Sequence, residues 1–152
     1  MSVDAVLFDL DGTLVDTAPE FIAVINRMLR ESSRTELPEL DIRNCVSNGS
    51  RALVTLAFGL SEHNEQFDAV RLRLLELYEQ DLGTHSVLFP GMAELLQALT
   101  LDGISWGVVT NKPSRYALPL LENMGLKPTN AAIVCADQVT HSKPHPEPMY
   151  LA

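Results

Sequence analysis

The chain begins with an apolar run, Ala5-Val6-Leu7-Phe8, that passes directly into Asp9-Leu10-Asp11-Gly12-Thr13. Val6 to Phe8 do not alternate with polar residues, which predicts a short buried strand. Pro19-Glu20 then opens a helical pattern carried by Phe21, Ile22, Val24, Ile25, Met28 and Leu29. The polar stretch from Glu31 to Glu39, with two serines and Pro38, predicts a loop. Ile42, Val46, Leu53, Leu56 and Phe58 predict one or two helices, with Gly49 as the break between them. Phe67, Val70, Leu74, Leu77 and Tyr78 recur at helical spacing and predict a helix over 64–82. Nothing between 17 and 88 alternates like a strand, so this stretch is expected to be all helical.

Phe89-Pro90-Gly91 marks a change of pattern. Residues 92–101 predict a helix, and Trp106 to Thr110 a second buried strand in which Trp106 is core. Pro113 and Ser114 open a further helix that runs to Met124-Gly125, where Gly125 fits a helix stop. Ala131 to Val134 predict a third short strand, ending near Asp137. This βαβαβ order implies a parallel sheet with right-handed crossovers. Two parts follow: an α/β core from residues 1–16 and 88–152, and a helical cap, residues 17–87, inserted between its pieces. No internal repeat or low-complexity tract interrupts this division.

Composition narrows the field. The 152 residues are enough for one core, and 46% of them are apolar, as in a globular protein. No run approaches the roughly 18 apolar residues of a membrane span. The N-terminus has no basic segment of the secretory kind, and a cytoplasmic location is expected. A net charge of −9 argues against a nucleic-acid or anionic-membrane surface. It also requires that an anionic ligand be attracted by a local cluster of cations. Cys45 and Cys135 are far apart, have apolar or neutral neighbours, and are expected to be reduced and buried. His63, His85, His141 and His145 show no metal-ligand spacing, and no Cys/His pattern suggests zinc.

The candidate chemistry lies at the tip of the first strand. Side chains at i and i+2 share a face, so Asp9 and Asp11 point into one pocket. That pocket is at the carboxyl end of a strand, where open α/β sheets place their ligands. Two carboxylates so close repel, unless a cation sits between them or one keeps a proton. Both solutions suggest chemistry: a divalent-metal site, or a nucleophile beside an acid/base. A solvated Asp-Gly turn is the plain alternative.

Three motifs in order resemble the haloacid dehalogenase superfamily of phosphohydrolases: Asp9-Leu10-Asp11-Gly12-Thr13, Val108-Val109-Thr110-Asn111-Lys112, and Ser142-Lys143-Pro144-His145-Pro146. The resemblance runs over the whole chain. It implies a Rossmannoid parallel core with an inserted helical cap, and hydrolysis of a phosphate monoester of a small metabolite. On that resemblance Asp9 is the nucleophile that forms an aspartyl-phosphate, and Asp11 the acid/base. Mg2+ is implied as cofactor, held by the Asp9 carboxylate and the Asp11 carbonyl together with a later acidic motif. Thr110 and the Asn111 N–H are implied to hold phosphate at a helix N-terminus, where the alternative is a threonine capping that helix. Lys143 is implied to stabilise phosphate charge from a proline-stiffened loop.

On the cap, Gly49 and Arg51 carry two open readings, a grip on a substrate oxyanion or a solvated helix start. Asp16 and Thr17 read as hinge or structural positions, and Lys112 is given no role. Asp11 argues against the dehalogenase and phosphonate-cleaving branches. The run after Asp11 and the cap size look most like phosphoglycolate phosphatases; Ser47 to Phe58 and Trp106 to Pro113 also look like bacterial N-acetylmuramic acid 6-phosphate phosphatases. A sugar-phosphate mutase and an inactive fragment that only binds are further alternatives. The family's fourth, acidic motif does not occur before Ala152, so the core is expected to be incomplete. The first strand would then present an open edge, or a partner or swapped segment would cover it.

Overall fold

A computed structural model describes residues 3–128 and 132–152. By its internal contacts the chain divides into two units, residues 1–16 with 87–152, and residues 17–86.

The first unit is built on a parallel sheet in the order β1-β4-β5, formed by β1 (Ala5–Phe8), β4 (Ser105–Val109) and β5 (Ile133–Val134). Phe8 pairs with Val108 and Val109 with Val134, which brings the ends of all three strands to one edge. Helices α5 (Met92–Leu101) and α6 (Ser114–Asn123) form the crossovers, and α7 (Glu147–Leu151) follows β5. Central β4 is buried from Trp106 to Val109, as its unbroken apolar run requires. β1 is different. Among the described residues it pairs only with β4, so Val6 and Leu7 are half-buried and not buried as their pattern predicts. Among the described residues β1 is an edge strand, which accords with the open edge expected above and which periodicity alone does not reveal. The position expected for Ala131 in the third strand lies outside the described residues.

Two further elements were not expected. β2 (Val15–Asp16) and β3 (Val87–Leu88) form a short antiparallel ribbon where the chain leaves and re-enters this unit. Two-residue strands carry too little pattern to be read. Thr110 falls just beyond β4, and Gly125 at φ +68° follows α6.

The second unit consists of four helices: α1 (Ala18–Glu31), α2 (Glu39–Val46), α3 (Gly49–Phe58) and α4 (Phe67–Asp81). Their apolar faces enclose a core of Val24, Ile25, Leu29, Ile42, Leu53, Val54, Phe67, Leu74 and Leu77. The helix expected over 64–82 is shorter, because the Asn64 side chain accepts the Gln66 N–H at 2.9 Å and closes a turn before it. The buried Glu20 carboxylate accepts the His85 N–H at 2.9 Å and is hydrogen-bonded to Ser86 Oγ. This ties the two ends of the helical unit together. Both cysteines are free thiols, but Cys45 is only half-buried, whereas burial and the nearby Asp137 charge push the Cys135 thiol up to about 11.

Candidate functional site

Asp9, Leu10 and Asp11 alternate as the strand geometry demands. Leu10 is fully buried, and the two carboxylates emerge on the other side. The chain then reverses tightly. Leu10 C=O accepts the Leu14 and Val15 N–H groups at 3.1 and 2.9 Å, and Gly12 N–H donates back to Val15 C=O at 2.9 Å. Gly12 sits at φ +79°, a conformation that strains any residue with a Cβ. Buried Leu14 and Val15 anchor the return, so the turn is fixed from beneath.

Each carboxylate is met by an ammonium from a distant part of the chain. Lys143 Nζ donates to Asp9 Oδ1 at 2.7 Å and to the Val109 carbonyl at 2.7 Å. Lys112 Nζ donates to Asp11 Oδ1 at 2.9 Å. The Asp9 Oδ1 atom also accepts the Leu10 N–H at 2.8 Å. Repulsion between the two acids is therefore offset by the protein's own cations, a solution beyond the two that the sequence suggests. The Lys112 side chain is only 9% exposed, which rules out a surface charge. Sequence reasoning gave it no role; its place shortly after the end of the central strand, two residues past Thr110, was the available signal.

Lys143 is aimed by Asn111. The Asn111 Oδ1 accepts the Lys143 N–H, and Asn111 Nδ2 donates to the Lys143 carbonyl, each at 3.0 Å. This side-chain clamp is a role that the sequence did not suggest for Asn111. The Lys143–Pro144 peptide is cis. Thr110 is buried, and its Oγ1 accepts the Lys112 N–H at 3.0 Å, while the hydroxyl keeps its own proton to donate. Helix α6 starts at Ser114, as the Pro113-Ser114 pair predicts. Pro113 is its N-cap, so Thr110 neither caps that helix nor stands at its N-terminus. Asp137 holds that start instead, accepting Ser114 N–H at 2.8 Å and Ser114 Oγ–H at 2.5 Å, which holds its carboxyl below the usual aspartate range.

Asp9, Asp11, Thr110, Asn111, Lys112 and Lys143 thus belong to one cluster in the α/β unit. Gly49 and Arg51 belong to the helical unit. Gly49, at φ +83°, is the first residue of α3. Arg51 Nη1 is paired with Glu62 Oε2 at 2.7 Å, and its guanidinium lies 6.0 Å from the Phe67 ring centroid. Asp16 lies in β2, and Thr17 is buried at the N-cap of α1.

A model of the haloacid dehalogenase-like hydrolases matches residues 6–152. The chain belongs to that family. It is 47% identical to an N-acetylmuramic acid 6-phosphate phosphatase of Pseudomonas putida, over all of this chain and 68% of that protein. It is 40% identical to a phosphoglycolate phosphatase of Xanthomonas campestris pv. campestris, over 97% of this chain and 66% of that protein. A crystal structure of a predicted phosphoglycolate phosphatase from Haemophilus somnus superposes with a TM-score of 0.78 at 28% identity, covering 98% of this chain and 69% of that one. Family and relatives together make the chain a phosphatase of the haloacid dehalogenase type.

The strand tip also fits the metal that the family implies. Asp9 and Asp11 offer only hard oxygen donors, the chemistry that Mg2+ prefers over nitrogen or sulfur. Both hydrogen bonds that the described residues make to the Asp9 carboxylate fall on Oδ1, which leaves Oδ2 for another ligand.

Proposed function

We propose that the protein is a magnesium-dependent phosphate-monoester hydrolase of a small phosphorylated metabolite, working through an aspartyl-phosphate on Asp9. One observation carries this reading. Lys143 Nζ bridges Asp9 Oδ1 and the Val109 carbonyl, which joins three distant motifs around one carboxylate. Asp9 attacks phosphorus, and the P–O bond to the alcohol breaks as Asp11 delivers a proton to the departing oxygen. Asp11 then takes a proton from water as that water attacks the acyl phosphate, releasing phosphate and restoring Asp9. Lys143 and the Thr110 hydroxyl hold the phosphoryl oxygens, and Asn111 keeps Lys143 on target. Mg2+, held by the Asp9 carboxylate and the Asp11 carbonyl, would supply the charge that lets a carboxylate approach a phosphate.

For the substrate, the 47% identity to the N-acetylmuramic acid 6-phosphate phosphatase, against 40% to the phosphoglycolate phosphatase, favours the sugar phosphate. Phosphoglycolate is the second reading. Free thiols accord with a cytoplasmic location, and among the described residues no helix is long and apolar enough to cross a membrane.

The test is phosphate release from N-acetylmuramic acid 6-phosphate and from phosphoglycolate, with Mg2+ present. Asp9→Asn is expected to abolish release from both, and the ratio of kcat/KM decides the substrate. Release undiminished in Asp9→Asn would sink the mechanism.

A further inference from the structure

The turn that carries Lys143 also gathers His141, His145 and Glu147, three residues with no part in the chemistry above. Their ligand atoms lie within 4.8 Å of one another, the one such His/Cys/Asp/Glu cluster of three or more among the described residues. We propose that His141, His145 and Glu147 form a binding site for a borderline divalent cation of the zinc class. The spacing that sequence reading dismissed becomes a ligand set because residues 141–147 fold back on themselves.

The distances fit such an ion. His141 Nδ1 lies 3.0 Å and His145 Nδ1 3.9 Å from Glu147 Oε2. In a tetrahedral zinc site, with bonds of about 2.0–2.1 Å, ligand atoms stand roughly 3.3–3.4 Å apart. The two observed distances bracket that value, so small side-chain rotations suffice. The two imidazoles pack against each other with ring centroids 4.7 Å apart, close enough for both to reach one ion. His145 Nδ1 faces the Glu147 N–H at 3.2 Å, so an ion takes that lone pair or meets Nε2 of the same ring.

The carboxylate is held ready. Glu147 accepts the Thr140 N–H at 2.8 Å and the His141 N–H at 3.0 Å, and these bonds keep its carboxyl below the usual glutamate range. Such outer bonds orient a ligand and maintain its charge. Both histidines are exposed, at 63% and 51% of the side chain, so an ion has an entry path and room for water as a further ligand. Two nitrogens and one oxygen select zinc, cobalt or nickel over magnesium, so this site and the all-oxygen strand tip sort the two classes of metal. An ion there would stiffen the segment that delivers Lys143 to Asp9. A Glu147 that only knots the turn is the plain alternative, and it predicts no metal selectivity.

The experiment is a titration of the protein with Co2+ in excess Mg2+, followed by visible absorption and then by displacement with Zn2+. One equivalent is expected to bind, and Zn2+ to displace it. His141→Ala and His145→Ala are each expected to weaken binding by about tenfold or more, with an unchanged thermal midpoint in the absence of metal. Glu147→Gln is used only if its circular dichroism matches the parent, because that carboxylate also holds the turn. Binding undiminished in both histidine variants would overturn the proposal, as would no visible band up to millimolar Co2+. A sulfur-to-cobalt charge-transfer band would place the ion on a thiol and would also overturn it.

Discussion

Asp9 and Asp11 each face an ammonium, but the two pairs sit in different surroundings. Lys143 is 26% exposed and Lys112 9%, so Lys112 is the cation that has given up more of its hydration for its carboxylate. A partly buried carboxylate left without its partner costs far more than an exposed one, because removal uncovers a charge the fold has desolvated. Lys112→Met therefore leaves Asp11 poorly held. The expected outcome is a fall in kcat of about 10- to 100-fold with little change in KM, since the effect reaches substrate through the acid/base residue. Steady-state kinetics check this, and an unchanged kcat would remove Lys112 from the mechanism. Asp9 and Asp11 were legible from their i, i+2 spacing at a strand end. Lys112 was not, because nothing local distinguishes a lysine that turns inward from one that points to water.

At the scale of elements, the strand-to-turn unit after β1 fixes both acids. Leu10, Leu14 and Val15 are fully buried, and Gly12 supplies the left-handed corner between them. A Cβ at Gly12 would meet no atom within 4 Å, so the cost of Gly12→Ala is conformational and not steric. At φ +79° that strain amounts to about 1–3 kcal/mol. Thermal unfolding is expected to show a midpoint lowered to match, together with weaker phosphate release, because Asp11 is the adjacent residue. A variant as stable and active as the parent would show that the turn tolerates another path. The long helices of the second unit and central β4 were readable, since each repeats its pattern over several positions. The β2–β3 ribbon was not, because two residues have no period, and the exposure of β1 depends on neighbours that a pattern does not name.

For the whole molecule, acid stability follows from carboxylates in both units. Glu31 in the helical unit is held below its usual range by Arg27; Asp137 and Glu147 in the α/β unit are held low chiefly by Ser114 and by the Thr140 N–H. A carboxyl lowered in the folded state contributes stability that is fully present above its unfolded value. That contribution is lost as pH falls through the lower folded value. The thermal midpoint is therefore expected to hold near neutrality and to decline below about pH 4–5. Glu147→Gln should shrink that decline, and a midpoint flat to pH 3 would show that these bonds do not matter to stability. Glu31 and Asp137 are exposed and Glu147 is half-buried, so each contribution is small and salt-sensitive.

The sequence by itself determined the kind and order of the longer elements and the acids at the first strand's tip. These follow from periodicity and alternation, which act over a few neighbouring residues. Only the tertiary structure decided which cations meet those acids. It showed Asn111 clamping Lys143, Asp137 holding the start of α6, and Lys112 turned onto Asp11. It also folded His141, His145 and Glu147 onto one another. Such contacts join residues up to 134 positions apart, as Lys143 does with Asp9. They depend on where parallel strands end in space, a property of the assembled sheet that no local pattern encodes.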